Sequence, residues 1–216
     1  MNLGLITSYI IAGMLMLAIV TMNINLSTSS SDLTLSQITK QHVQTVTDMV
    51  TYDIPKIGFA QNGKVTKYNN PDTGSNYNMI TIAEDERIRF YSDVDNNGQI
   101  DEVTWWFKTT DPVTTTNNPD DFKLVRTQRN MATNVTESTE ITLGVTEFVI
   151  NYYDEYGDSK ANKMSTPITG SNLDNIKQID IELIMESKEK IRYSVNSDGR
   201  YVASAWEKRF TPRNLQ

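Results

Sequence analysis

The chain has 216 residues, no cysteine, one histidine and a formal net charge of −7 at neutral pH. The lack of cysteine excludes a disulfide framework, a thiolate zinc site and a cysteine nucleophile, and a single histidine excludes a multi-histidine metal site. The acidic balance argues against nucleic-acid binding, which requires a basic face. Because no spacing of titratable residues singles out an acid–base pair, we do not expect catalytic residues or an enzyme.

The N-terminal part of the chain carries no charged side chain before Asp32. Residues 3–22 are mostly apolar, and about 20 such residues form a helix of about 30 Å, the thickness of the hydrocarbon core of a bilayer. No basic segment precedes this run and no small-x-small site closes it, so we expect a retained helix rather than a cleaved signal peptide. The residues expected to mediate its burial in a membrane or filament core are Leu3, Leu5, Ile6, Ile10, Ile11, Met14, Leu15, Leu17, Ile19 and Val20.

A second helical pattern follows the apolar run with no intervening proline or glycine. Pro55 and Gly58 end this pattern. We therefore predict one helix of about 75 Å over residues 3–53, with 1–55 as the helical unit and 56–216 as a globular head. The alternative is a membrane anchor, a flexible Ser/Thr linker and a separate helix. The face expected to lie on the head, at three- and four-residue spacing, comprises Leu35, Ile38, His42, Val46, Met49 and Val50.

The remainder of the chain shows the pattern of an antiparallel β-sheet. Short segments rich in β-branched and aromatic residues are separated by turns of asparagine, glycine and aspartate. The fold class predicted is α+β, in which a hydrophobic-then-amphipathic N-terminal helix packs on a C-terminal antiparallel sheet. The candidate strands are 76–83, 87–94, 100–107, 122–127, 145–153, 177–185 and 201–210.

The segment between the second and third candidate strands has the spacing of the start of a calcium-binding loop. Asp93, Asp95 and Asn97 stand at positions 1, 3 and 5, Gly98 stands at position 6, and Asp101 stands at position 9. The candidate ligands are therefore Asp93, Asp95, Asn97, Gln99 and Asp101. Position 12 departs from the pattern, because it is Thr104 rather than a bidentate glutamate. Since Asn-Gly is also a strong hairpin signal, we prefer a hairpin turn here and keep calcium as the alternative.

Two further features bear on interactions. Trp105 and Trp106 are consecutive on a candidate strand, so their side chains should face opposite sides of the sheet. One of them is expected in the core, and the other is a candidate interface residue. His42 lies on the apolar face of the helix, where we expect a packed or interfacial side chain rather than a catalytic one.

Five segments occur in an order that resembles a known superfamily. They read RIRFYSDVDNNGQIDEVTWWF, KLVRTQRN, VTEFVINYYDEYGD, IKQIDIEL and TPRNL. Together with the uncharged N-terminal helix, this order resembles the type IV pilin-like superfamily, and within it the PilW-type minor pilins and the J-type pseudopilins of type II secretion. The superfamily's glutamate at the fifth mature position has no counterpart, since that position is Leu5 counted from Met1 and Tyr9 counted after Gly4.

The resemblance implies a structural subunit of an extracellular filament. The chain would be inserted in the inner membrane before assembly, and its hydrophobic helices would then bundle as the core of a helical homo-oligomer at the cell surface. The alternatives are a minor tip pseudopilin of a secretion system and a membrane-anchored extracellular binding module or adhesin. We expect no cofactor other than calcium, and no nucleic-acid partner.

Overall fold

The computed structural model describes residues 3–61, 63–64, 67–69, 76–157, 160–191 and 198–216; for residue 3 and for those between 63 and 77 it describes the backbone alone. A single long helix lies on a curled seven-stranded antiparallel sheet. The predicted α+β class, with an N-terminal helix packed on a C-terminal sheet, is confirmed.

Helix α1 extends without a break from Leu3 to Asp53, which is 51 residues and about 75 Å. The Ser/Thr-rich segment is helical rather than a flexible linker. Its hydroxyl groups donate back to the carbonyl groups one turn earlier, as Thr28 does to Ile24 and Ser31 to Ser27. This internal bonding satisfies the polar side chains without interrupting the helix.

The predicted stop signals end α1. A 3-10 turn, Ile54–Lys56, contains Pro55, and Gly58 follows with a φ of 71°. A side chain at Gly58 would be strained by this positive φ, and its Cβ would also displace the flexible side chain of Met79. The chain therefore turns sharply from the helix into the first strand.

All seven predicted strands are present. The first divides into two short strands. The fifth begins at Thr136 rather than at Val145; the prediction missed this part because residues 136–140 are exposed on both faces and show no apolar alternation, although Ile141 after them is buried. The strands are β1 Phe59–Ala60, β2 Gly63–Lys64, β3 Lys67–Asn69, β4 Asn76–Asn78, β5 Ile80–Ala83, β6 Arg87–Ser92, β7 Asp101–Pro112, β8 Phe122–Asn130, β9 Thr136–Tyr153, β10 Gln178–Glu186 and β11 Ala203–Phe210. The main sheet has the order β11-β10-β9-β8-β7-β6-β5, so every neighbour along the sheet is also the neighbour along the chain.

The second half of α1 packs on β11 and β10 and reaches β9. The predicted packing face is partly wrong, because the helix is rotated toward smaller side chains. Ile38 is 41% exposed, whereas Val46 and Val50 are buried as predicted. Most of the side chains that this half buries are β-branched. The buried positions on this half are Thr39, Val43, Val46, Thr47, Val50 and Asp53.

A buried carboxylate fixes the end of α1 to the sheet. Asp53 is 1% exposed and accepts hydrogen bonds from Nε1 of Trp105 at 2.8 Å and from Nε and Nη2 of Arg126 at 2.6 and 2.9 Å. Trp105 and Arg126 are direct partners across the β7–β8 ladder, so both side chains reach the helix from one face. Burial alone would lower the pKa of Arg126, but the hydrogen bonds and charge of Asp53 raise it.

We predict that Arg126→Ala lowers the free energy of unfolding by about 3–5 kcal/mol, because it leaves the Asp53 carboxylate buried without a cation. Arg126→Lys should lower it less, since it keeps the charge but loses the two-pronged geometry. Urea unfolding of the full chain in detergent, followed by tryptophan fluorescence, measures the loss. Arg129→Ala, at an exposed position of the same strand, is the control and should change stability by less than about 0.5 kcal/mol. Equal losses for the two alanine variants would contradict the role of Asp53.

Candidate functional site

The first half of α1 has no protein around it among the described residues. Every residue from 4 to 27 is exposed, a length of about 36 Å. By length and composition the helix is apolar enough to cross a membrane, so it could anchor the chain in one. The predicted assembly residues with described side chains are 40% to 69% exposed: Leu5, Ile6, Ile10, Ile11, Met14, Leu15, Leu17, Ile19 and Val20. The side chain of Leu3 lies outside the described part.

The exposed apolar half of α1 ends near Asp32, which is the first charged side chain and lies beside the head. The carboxylate of Asp32 lies 4.0 Å from Nη2 of Arg200. One turn further on, Leu35 and Ile38 face residues 186–189 across a cavity of about 380 Å³. His42 lines the same cavity, and its Nδ1 lies 3.1 Å from the carbonyl oxygen of Leu143 on β9. The histidine is therefore packed between the helix and the sheet.

The candidate calcium loop connects β6 to β7. The two strands form the predicted hairpin, but the connection is an eight-residue loop, 93–100, rather than a tight turn at Asn97-Gly98. The two carboxylate oxygens of Asp93 accept hydrogen bonds from the amides of Asn97 and Gly98, both at 3.0 Å. Asp95 also accepts from the amide of Asn97 at 3.1 Å, and the side-chain oxygen of Asn97 accepts from the amide of Gln99 at 2.7 Å. The loop is thus built around its own oxygen-bearing side chains.

Asp101 closes the loop and is 1% exposed. Its Oδ2 accepts hydrogen bonds from the amide of Val94 at 3.4 Å and from Nε2 of Gln128 at 3.1 Å. Its Oδ1 has no hydrogen-bond partner within the described ranges. Burial, reinforced by the charges of Asp95 and Asp93, raises the pKa of Asp101 to about 6.

Neighbouring strands add polar groups that sequence reasoning missed. Asp95 and Asp101 line a cavity of about 400 Å³ together with Gln128, Asn130 and Glu137. Strand register brings them together, since Asp101 pairs with Asn130 and Gln128 pairs with Glu137. The one local signal in the sequence for these added polar groups was Gln128, a glutamine at an inward position of β8, two residues after Arg126. Of the predicted ligands, Asp95 and Asp101 line this cavity, whereas Asp93, Asn97 and Gln99 do not.

A chain of hydrogen bonds links this loop to the end of α1. Gln128 donates to Asp101 and accepts at its Oε1 from Nη2 of Arg126 at 3.1 Å. Arg126 in turn donates twice to Asp53. The acidic loop and the helix attachment therefore share one polar network.

A second acidic cluster lies at the other end of the sheet. Oxygens of Asp180, Glu182 and Glu207 all lie within 4.8 Å of one another, the one such trio of carboxylates found in the described part of the chain. The ammonium group of Lys160 already lies 3.1 Å from Glu182 and 2.8 Å from Glu207. These ion pairs raise the pKa of Lys160. The cluster is accordingly an ion-pair network.

The two consecutive tryptophans face opposite sides, as predicted. Trp105 is fully buried, and its ring stacks on Phe148 with the centroids 6.1 Å apart. Trp106 is 40% exposed, and the cationic groups of Arg87 and Lys108 lie 5.2 and 4.9 Å from its ring centroid. Trp106 is therefore the tryptophan available for an interface.

No protein-family model matches this chain, and no curated protein sequence matches it. The resemblance to the type IV pilin-like superfamily therefore stays a prediction from the sequence.

We predict that Asp101 makes the calcium-free protein less stable as the pH rises. The folded state holds the proton more tightly, with a pKa of about 6 against about 3.9 in an unfolded chain. This stabilising contribution is complete below about pH 4 and is lost as the pH rises through 6. Urea unfolding with a chelator should therefore show Asp101→Asn gaining stability over the original protein between pH 4 and pH 7. Asp120→Asn, at an exposed loop position, is the control, and the same gain in both variants would contradict the assignment.

Proposed function

We propose that this chain is a structural subunit of an extracellular filament of the type IV pilin-like kind. The apolar halves of α1 would bundle as the filament core, and the sheet domains would cover the outside. The observation that supports this most is a continuous helix with a wholly exposed apolar half and a second half fixed to the head. One half of such a helix is suited to contact other copies of the chain, and the other half packs on the head of its own chain.

The exposed half requires an apolar environment. Leaving it in water costs on the order of tens of kcal/mol, at about 25 cal/mol per Å² of apolar surface. Lipid supplies that environment before assembly, and its hydrocarbon core of about 30 Å is shorter than the exposed segment. Like helices supply it afterwards. We therefore propose insertion in the inner membrane followed by transfer to the filament core.

The continuity of α1 favours a filament over a tethered binding module. A module that samples its surroundings is served by a flexible linker, whereas residues 23–31 are helical here. Because the head is fixed to the helix at Asp53, every copy presents its head in the same direction relative to the core. Identical copies related head to tail then make an open helical array.

No side chain before Asp32 is charged, so contacts between copies in this part of α1 would join uncharged side chains. Moving the apolar half of α1 from lipid into a bundle buries no charged side chain between residues 4 and 27, so no side-chain ion has to be desolvated there. Leu5 and Tyr9 offer apolar contacts where the superfamily has a glutamate. We therefore propose that assembly relies on side-chain packing rather than on a buried ion pair.

Single-cysteine variants test the bundle directly, because the chain has no cysteine of its own. Leu15 and Leu17 are 60% and 69% exposed and lie about 200° apart around the helix. In a bundle both faces meet neighbours. Because a head-to-tail contact joins different faces of neighbouring copies, we predict that Leu15→Cys and Leu17→Cys alone give little disulfide-linked dimer on oxidation of surface material, whereas the double variant forms a ladder of longer oligomers.

The same variants dispersed in detergent at low concentration are the control and should stay monomeric. Efficient dimers of either single variant, with no ladder from the double variant, would indicate a two-fold dimeric anchor and contradict the filament. A monomer in every fraction would instead favour a membrane-anchored extracellular binding module.

A further inference from the structure

The inward carboxylate of Asp101 requires a partner that the described protein does not supply. Its Oδ1 is buried and accepts no hydrogen bond, although Oδ2 is bound by Val94 and Gln128. A buried polar atom without a partner is costly, and a buried charge is more so. Because the amide of Val94 belongs to the loop, the carboxylate lies against the loop, and it lines one cavity with Asp95. Negative groups face it there, so the missing partner is a cation.

We propose that the β6–β7 loop binds one calcium ion. The side-chain ligands are Asp93, Asp95 and Asn97, a backbone carbonyl oxygen is supplied by Gln99, and Asp101 binds directly or through a water molecule. This order matches positions 1, 3, 5, 7 and 9 of a calcium loop. The site does not depend on the proposed filament, since every ligand belongs to one copy of the chain.

The hydrogen bonds within the loop leave the ligand oxygens able to bind an ion. Each carboxylate oxygen of Asp93 accepts one amide, and a carboxylate oxygen has two lone pairs. Gly98 adopts a φ of 84°, which allows a sharp turn in the middle of the loop. The carboxylates of Asp93, Asp95 and Asp101 do not form a trio within 4.8 Å of one another in the described structure, so the ion would draw them together or reach Asp101 through water.

The ligand chemistry selects calcium. All the groups offered are oxygens, and the chain holds neither cysteine nor a second histidine, so a soft or borderline metal has no preferred ligand here. Magnesium requires near-ideal octahedral geometry, whereas calcium accepts an irregular set of six to eight oxygens. Without a glutamate at position 12, where Thr104 stands, we expect a dissociation constant of about 10⁻⁴ to 10⁻³ M, as in extracellular calcium modules.

The second acidic cluster is the competing location, because both carboxylate oxygens of Asp180 are buried without a hydrogen-bond partner among the described residues. Its basic neighbours disfavour it. Lys160 already forms ion pairs with Glu182 and Glu207, so a calcium ion would first have to displace an ammonium group. Asp180 also has Arg209 nearby, with Nη2 at 3.9 Å. The β6–β7 loop has no lysine or arginine between Asp93 and Asp101.

Isothermal titration of the full chain in detergent with calcium chloride tests the proposal. We expect one calcium ion per chain, weaker binding of magnesium by about tenfold or more, and a melting temperature raised by roughly 5–10 °C at calcium one hundred times above the dissociation constant. Asp95→Asn changes an exposed loop carboxylate and should weaken calcium binding at least tenfold while the calcium-free protein stays folded.

The matched control is Glu207→Gln, which removes a carboxylate from the other cluster and should leave calcium binding unchanged. Loss of binding in Glu207→Gln with full binding in Asp95→Asn would overturn the proposal and place the ion at the second cluster. Lack of any calcium binding up to 10 mM, about ten times the upper expected dissociation constant, would overturn it as well. Neither result bears on cross-linking through Leu15 and Leu17, so the calcium site and the filament fail separately.

Discussion

The structure depends on the attachment of one helix end to the sheet through a buried carboxylate. Asp53 lies at the C-terminal end of α1, where the helix dipole disfavours a negative charge, and it is 1% exposed. It is held there because Arg126 and Trp105 both reach it from adjacent strands. With this end fixed and the helix unbroken, the position of the head determines the direction in which the apolar half projects. The same contact that stabilises the domain thus orients the part of the chain that has no partner within it.

The two halves of α1 require two different environments. From Thr39 to Asp53 the helix buries small side chains against β10 and β11, so it belongs to the head. From residue 4 to residue 27 it is exposed on all sides and uncharged, and we propose that lipid or other copies surround it. The polar chain from Asp53 through Arg126 and Gln128 to Asp101 extends the attachment into the β6–β7 loop. A cation bound in that loop would therefore affect the attachment of the C-terminal end of α1 as well as the loop itself.

Local sequence patterns predicted the helix and the strands, whereas contacts between residues distant in the sequence determine the polar sites. The absence of proline before Pro55 and of glycine between Gly13 and Gly58 predicted α1, and alternation predicted the strands. The added part of β9 was missed because its first five residues, 136–140, are exposed on both faces. Periodicity gave an approximate packing face, but the rotation of α1 toward Thr39 and Val43 depends on the shape of the sheet. The spacing of Asp93, Asp95 and Asn97 predicted the acidic loop. The partners Asp53 and Arg126 are 73 residues apart, and no local pattern connects them.

Electron microscopy of material sheared from the surface of cells that produce this chain tests the central claim most directly. The account predicts regular thin filaments composed of this chain, with the apolar halves of α1 packed along the axis and the sheet domains outside. Mass spectrometry of the N-terminus of the same material would identify the mature end of the helix. A chain that remains monomeric in the membrane fraction, with no filaments at the surface, would contradict the account.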